Sequence, residues 1–460
     1  MRVLQVNTFA DRVGGAEVYL HDLSARLREA GHIVGLFASS SAASTSTPEA
    51  RVVRRPDWDG GALLSDGPLE SAFVEFCGEF KPDLIHLHNL HSFSVTLVAR
   101  LAQLGIPTVQ TIHDAGLLCA NSWLVHGDGQ VCEGGVGAKC AQHSCERNYP
   151  YDGRILTSTR LRADALRRTC EAWIAPSVFF QGLAARHGLE PVHRIAYSCS
   201  KVRPPRERRP SSKRILFAGR LVREKGIEFL IRAWPEVLSA HPDAELFIAG
   251  DGPVRESLVA LCGDLGLDAA RILRGKVPHA EIDGLMLESC ALALPSIWVE
   301  NSPLSCYESL QVGLPMIASS IGGLPDLVVP GRTGWQVPAR DQQALSSAMI
   351  SALDPAGPWM DLHRGCLEMA ASLTPTRHFE AVLAVYRQAQ ERGTSHRLAI
   401  DTDLIASADG LLQQFSRVEG WALDMKKHIE YLEGIGRADQ PVKSFARHMK
   451  FWLKSKRPQG

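Results

Sequence analysis

Over residues 1–200, apolar runs of strand length alternate with stretches whose apolar positions recur at helical spacing. Residues 2–7 read as a buried strand. Residues 16–30 place Val18, Leu20, Leu23 and Leu27 on one helical stripe and end at Gly31. A second strand is expected at 33–38, and residues 39–47, almost all Ser, Thr and Ala, read as a loop. Further strands are expected at 83–87, 108–112 and 172–175, with helices around 94–104 and 158–169. Strands separated by helices imply crossover connections and a parallel sheet covered on both faces.

The pattern breaks at residues 201–214, a segment rich in Arg, Lys and Pro with no apolar run. Such a segment reads as a linker between domains. Alternation then restarts, with strands expected at 215–218, 245–249, 272–274, 291–294 and 315–318. Helices are expected at 224–239, 254–265, 280–287, 304–312 and 342–352. The fold class is therefore α/β, with two Rossmann-like, doubly wound parallel-sheet domains at 1–200 and 215–375. A crossover helix at 376–392 and a helical basic extension at 393–460 follow. Open parallel sheets bind ligands outside the carboxyl ends of their strands, which makes the cleft between the domains the expected site.

Composition narrows the setting. An apolar share of 45% with 22% charged residues is that of an ordinary soluble globular chain. A formal net charge of zero gives no reason to expect nucleic acid as a partner. The N-terminal apolar run is too short for a signal peptide, and no window approaches a transmembrane span. Eleven cysteines are too sparse for a disulfide scaffold, so a reduced, cytoplasmic setting is the expectation.

The densest chemistry lies in residues 298–313, WVENSPLSCYESLQVG, between an expected strand and an expected helix. A helix N-terminus offers N–H groups and partial positive charge to a diphosphate. Asn301 and Ser302 extend that turn, with the amides of residues 302–304 beside it. Glu308, inside the helix, is placed to accept both hydroxyls of a ribose, and Glu300, on the loop, could reach sugar hydroxyls. Two glutamates flanking a helix start can equally be surface and capping charges.

Context decides between these readings. Residues 300–313 resemble the signature of the family 4 retaining glycosyltransferases, Glu-Gly-Phe-Gly-Leu, three residues, then Glu-Ala-Met-Ala-x-Gly. Glu300, Leu304, Glu308 and Gly313 match, and Asn301-Ser302-Pro303 replaces Gly-Phe-Gly. Residues 217–226 (FAGRLVREKG) are similar to the family's Gly-Arg-Leu and Lys-Gly segment, and 248–253 (IAGDGP) to its Gly-Asp-Gly-Pro turn. Residues 322–327 (GGLPDL) and 331–334 (GRTG) resemble its Gly-Gly-x-Pro-Glu and Gly-x-x-Gly elements. In the first domain the likeness is thinner. Gly14, Gly15 and Glu17 match Gly-Gly-x-Glu, PDLIH at 82–86 resembles the strand before the acceptor-side helix, and His113-Asp114 ends the next strand.

The resemblance implies a GT-B fold and transfer of a hexose-type sugar, with retention, from a nucleotide diphosphate-sugar. The acceptor would be a glycan or lipid-linked glycan, in polysaccharide or glycoconjugate biosynthesis. It implies catalytic roles for Glu300, His113, Arg220 and Lys225. Donor contacts would come from Gly15, Gly219, Arg220, Lys225, Asn301, Ser302, Leu304 and Glu308. Read alone, His113 is a satisfied polar residue at a strand end; the resemblance makes it face the transferred sugar. Arg220 and Lys225 would neutralise the charge growing on the diphosphate as the glycosidic bond breaks. Such cations remove the need for a catalytic metal; Asp57/Asp59 and Asp401/Asp403 have Asp-x-Asp spacing, but neither follows a buried strand at the expected cleft, so both read as surface loops. No nucleophile is implied: in front-face attack the departing phosphate oxygen takes the acceptor's proton.

The loop at 115–150 gathers Cys119, Cys132, Cys140 and Cys145, with His126 and His143 nearby. A structural zinc, free thiols and a labile disulfide are all open readings. Some members of the family carry a similar cysteine-rich loop, often with a further cysteine where this chain has Gly135. Residues 440–458 mix Lys443, Arg447, Lys450, Lys454, Lys456 and Arg457 with Phe445, Phe451 and Trp452. A basic aromatic helix of this kind suits peripheral contact with an anionic membrane, or packing against another subunit or the first domain. The rival functions are a non-catalytic binding scaffold of the same fold, because Pro303 lacks an N–H, and a sugar-nucleotide epimerase.

Overall fold

The computed structural model describes residues 1–11, 14–40, 45–55, 64–126, 130–143, 145, 153–198 and 209–394. The tail at 440–458, both Asp-x-Asp pairs and most of the basic linker lie outside these residues.

The first sheet holds β1 (Arg2–Phe9), β2 (Ile33–Ser40), β3 (Thr45–Thr47), β4 (Ala50–Arg54), β5 (Leu84–Leu87), β6 (Thr108–Thr111), β7 (Ala172–Ala175) and β8 (Val192–Arg194). Its strand order is β3-β4-β2-β1-β5-β6-β7-β8, parallel except for the β3–β4 pair. Its helices are α1 (Gly15–Glu29), α2 (Gly67–Phe80), α3 (Val95–Leu104), α4 (Ala138–Gln142), α5 (Gly153–Thr169) and α6 (Val178–Arg186).

The second sheet holds β9 (Arg214–Ala218), β10 (Glu245–Ala249), β11 (Leu273–Gly275), β12 (Ala291–Leu294), β13 (Met316–Ser319) and β14 (Gly334–Val337), all parallel, in the order β11-β10-β9-β12-β13-β14. Around it lie α7 (Ile227–Ala240), α8 (Arg255–Asp264), α9 (Ala269–Ile272), α10 (His279–Leu287), α11 (Leu304–Gln311), α12 (Leu324–Leu327), α13 (Gln342–Leu353) and α14 (Trp359–Ser372), and α15 (Pro375–Arg392) follows.

Successive strand residues point to opposite faces, and both faces are covered. In β9, Ile215 and Phe217 join an apolar cluster on one side, with Ile231 and Trp234 of α7. Leu216 between them faces the other cluster, which continues into the first domain. Strand order reverses between β1 and β5 in one sheet and between β9 and β12 in the other. The loops leaving β1, β6, β9 and β12 carry the site residues singled out by sequence.

Two expected elements need correction. The helix expected at 224–239 is divided: Arg223–Lys225 form a 3₁₀ turn and α7 begins at Ile227. Gly226 between them has φ +68, and a Cβ there would lie 1.9 Å from the Pro295 carbonyl oxygen. A left-handed residue pressed on a neighbouring backbone ends one helix and starts the next. The strand expected at 272–274 begins at Leu273, because Asp268 caps the short α9 by accepting from the Ala270 amide. Helix α15, started by Thr374 and Pro375, returns to the first sheet, where the Tyr386 hydroxyl lies 2.7 Å from His86 Nδ1.

Candidate active site

The segment after β12 carries Glu300 and ends at Pro303, which caps α11. Glu300 is buried, at 5% exposure, and its Oε1 accepts from Lys225 Nζ at 2.6 Å and from Ser296 Oγ at 2.7 Å. Burial alone would raise this carboxyl; the Lys225 charge and these hydrogen bonds outweigh it and hold the pKa below the ordinary value. Lys225 closes the 3₁₀ turn after β9, and the turn is tied to the loop by the Ile297 amide donating to Glu224 O at 2.9 Å. Its Nζ also lies 5.5 Å from the centre of the Trp298 ring.

Motif glycines make this arrangement by letting backbones touch. A Cβ at Gly250 would lie 1.8 Å from Gly219 O, and one at Gly252 would lie 2.3 Å from Leu221 O. The turn at 250–253 therefore clamps the Gly-Arg-Leu segment, with the Gly219 amide donating to Ala249 O. Arg220 projects from that clamped turn and is exposed. Behind the Glu300 loop, the Gly323 amide donates to Glu300 O at 2.7 Å. Glu308 lies half-buried in the second turn of α11.

Helix α1 meets α11 across the cleft. An added Cβ at Gly15 would be 3.7 Å from Leu304 Cδ1, so the N-terminal ends of the two helices face each other. Glu17 caps α1: its Oε2 accepts from the Gly14 amide and its Oε1 from Asn7 Nδ2, both at 2.9 Å. This gives the Gly-Gly-x-Glu motif its physical meaning.

On the first-domain side, His113 leaves β6 with Nε2 2.8 Å from His88 Nδ1 and Nδ1 2.6 Å from the Tyr197 hydroxyl. Burial pushes its pKa down to about 4, so it is neutral at physiological pH. Asp114 pairs with His91 Nε2 at 3.1 Å. Burial works to raise its carboxyl, and His91 overrides it, leaving the pKa below the ordinary value. A polar pocket beside His113 is lined by His88, His91, Gln110, Asp114 and the buried Arg162.

Asn301 and Ser302 are buried, and their side chains contact protein. Asn301 Nδ2 donates to Ile112 O at 2.7 Å, and its Oδ1 accepts from Ser177 Oγ at 3.0 Å. Ser302 Oγ lies 2.7 Å from the Tyr307 hydroxyl. Of the residues that depart from the family pattern, Asn301 therefore bridges the two domains. Asp326 adds to the bridge by accepting from the Val178 amide at 2.7 Å. We expect Asn301→Ala to lose about 1–2 kcal/mol of domain docking, because it leaves the buried Ile112 carbonyl without that donor. Urea titration would show this as a lowered midpoint; an unchanged midpoint would contradict it.

None of the four loop cysteines is in a disulfide, and among the described residues no group of three or more His, Cys, Asp or Glu side chains is placed to hold a metal ion. Cys119 Sγ instead donates to Asn121 Oδ1 at 2.8 Å, and Cys145 Sγ lies 4.0 Å from His126 Nδ1. Gly135 has φ +78, and a Cβ there would lie 2.9 Å from His187 Cε1. Packing of the loop on the C-cap of α6 thus favours glycine at this position.

Sequence reasoning missed His88, Tyr197, Tyr307 and Ser177. His86 and His88 are two apart in LIHLH, a spacing that places both on one face of a strand. Nothing local marks the other three, each of which has a partner across the domain boundary: Tyr197 and Tyr307 meet each other, and Ser177 meets Asn301.

With this geometry in view, the comparisons are consistent. Residues 13–197 match the Glycosyltransferase Family 4 domain and residues 200–358 match Glycosyl transferases group 1. The D-inositol 3-phosphate glycosyltransferase 1 of Catenulispora acidiphila is 26% identical over 413 residues, covering 83% of this chain and 92% of the relative. The glycogen synthase of Mycobacterium tuberculosis is 28% identical over 390 residues, covering 77% and 86%. Among solved structures, a sucrose-phosphate synthase from Thermosynechococcus elongatus superposes with a TM-score of 0.62 at 21% identity, covering 84% of this chain and 98% of that one. Anabaena HepE, solved with UDP and glucose, gives 0.60 at 17% identity, covering 84% and 99%. Two facing parallel sheets with a returning C-terminal helix form the GT-B architecture, and this chain belongs to the family 4 glycosyltransferases.

Proposed function

We propose that the protein is a retaining hexosyltransferase that takes its sugar from a nucleoside diphosphate-sugar and passes it to a glycan or lipid-linked glycan. The observation that carries this reading is the Lys225–Glu300 pair, held at 2.6 Å beside the facing N-termini of α1 and α11. The diphosphate lies against Lys225, Arg220 and the backbone of residues 302–304. Glu308 holds the ribose and Glu300 the sugar hydroxyls. As the glycosidic bond breaks, negative charge grows on the leaving phosphate, and the two cations stabilise that charge more than the ground state. The acceptor hydroxyl attacks from the same face and passes its proton to the departing phosphate oxygen. The fixed cations do the work of a metal, so no divalent ion is needed for catalysis. The acceptor enters by the polar pocket at His91, Asp114 and Arg162.

The test is a panel of UDP-, GDP- and ADP-sugars, incubated with the protein in EDTA with candidate acceptors and membrane lipid extract, following released nucleoside diphosphate. Release from one donor, lost in Glu308→Ala, is the expected result. Donor binding with no release under any of these conditions would favour the scaffold reading, for which Pro303 at the helix cap is the supporting observation.

A further inference from the structure

A line of buried hydrogen bonds runs from the first strand of the molecule to the donor helix, and the mechanism above does not use it. Gln5 Oε1 lies 2.6 Å from His88 Nε2. His88 Nδ1 lies 2.8 Å from His113 Nε2, and His113 Nδ1 lies 2.6 Å from the Tyr197 hydroxyl. The Tyr197 amide donates to the Tyr307 hydroxyl at 3.0 Å, which in turn meets Ser302 Oγ at 2.7 Å. Gln5 and His88 are at most 1% exposed, and the Tyr19 ring packs edge-on against both imidazoles.

The chemistry of each member gives this line one direction. An amide oxygen only accepts, so His88 carries its proton on Nε2. Burial lowers both imidazoles well below their ordinary pKa, so each ring is neutral and has one N–H and one lone pair. His88 Nδ1 therefore accepts, and the proton between the rings belongs to His113 Nε2. His113 Nδ1 then accepts in turn, from a Tyr197 phenol that burial keeps protonated.

We propose that Tyr197, His88 and Gln5 are positioning residues that lock His113 in a single neutral tautomer, protonated on Nε2, and couple it through Tyr307 to the donor loop. Both ring nitrogens of His113 are satisfied within the protein. Its ring thus neither gives nor takes a proton in the reaction; it fixes the end of β6 that faces the cleft. Tyr197 links that strand end to α11 of the other domain, so closure of the domains and placement of His113 are one event. The catalytic consequence rests on the donor site proposed above, whereas the tautomer does not.

Two readouts on the full-length protein test this. Nitrogen-15 NMR of labelled histidines, with His113 assigned by its loss in His113→Gln, is expected to show Nε2–H alone. Tyr197→Phe keeps the ring packing and removes the donor, and Gln5→Leu removes the terminal acceptor. Each is expected to give mixed His113 tautomers and to lower kcat about tenfold, the worth of one buried hydrogen bond, with little change in KM for the nucleotide-sugar. Gln5→Glu keeps an acceptor and is expected to restore the single tautomer. An Nδ1–H signal in the wild type, as a reversed Gln5 amide would give, overturns the proposal. So does a Tyr197→Phe variant with unchanged spectrum and kcat. Mixed tautomers with unchanged kcat overturn the coupling to catalysis. If the wild type turns over no donor, the functional reading fails and the spectrum alone decides the relay.

Discussion

Lys225→Ala is expected to lower kcat about a hundredfold to a thousandfold, the range for losing one preorganised group that stabilises transition-state charge. The same substitution should destabilise the fold by about 3 kcal/mol, because it leaves the buried Glu300 carboxylate without its ion-pair partner. The pH dependence separates this from lost packing. In the wild type the Glu300 pKa is depressed, so the pair contributes stability above the ordinary carboxylate pKa and loses it as pH falls through the depressed value. In Lys225→Ala burial dominates and raises the carboxyl instead, so Glu300 protonates more readily. The stability gap between the two proteins is therefore widest at neutral pH and narrows on acidification. A gap that stays constant down to acid pH would mean that the Lys225 side chain acts through packing alone, and Lys225→Met would then behave as the wild type.

Gly323→Ala should be almost as damaging, although residue 323 carries no chemistry. Its φ of −88° suits any residue, so strain is not the issue. Space is the issue: an added Cβ would lie 1.8 Å from Asn301 O and 2.6 Å from Ser177 Cβ. Backbone on one side and a packed helix cap on the other leave the loop nowhere to give. We expect the Glu300–Asn301 segment to shift, the Gly323 amide to lose Glu300 O, and stability to fall by about 3 kcal/mol. Activity should fall with it, since a displaced Glu300 takes Lys225 along. Gly284→Ala is the matched control, because a Cβ on that helical glycine meets nothing within 4 Å; it should hold or raise Tm. Equal Tm values for both variants would contradict the packing argument.

Strand and helix alternation was legible because buried parallel strands such as β7 and β12 are short unbroken apolar runs. The edge strands of the first sheet escaped for the opposite reason: Thr45–Thr47 is exposed and polar, and Val192–Arg194 is only partly buried. Helix α2 was missed although Asp66 and Pro68 mark its start and Leu69, Phe73, Phe76 and Phe80 recur at helical spacing. In the site, Glu300, Lys225 and His113 stood out individually by their motifs. Their partners did not. The bond of Lys225 to Glu300 spans 75 residues, and that of Asn301 to Ile112 spans 189. The first joins two loops of one domain and the second is set by how two finished domains meet, and no local pattern encodes either. The cysteine loop shows the reverse limit: four thiols close in sequence form no group placed to hold a metal ion among the described residues.

The most direct test of the account is calorimetric titration of UDP, GDP and ADP into the full-length protein in EDTA, repeated with Arg220→Ala, Lys225→Ala and Glu308→Ala. The account predicts that one diphosphate binds the wild type without a metal and that all three variants bind it more weakly. Binding that requires a divalent ion, or that survives all three substitutions unchanged, would place the donor elsewhere and contradict the site described above.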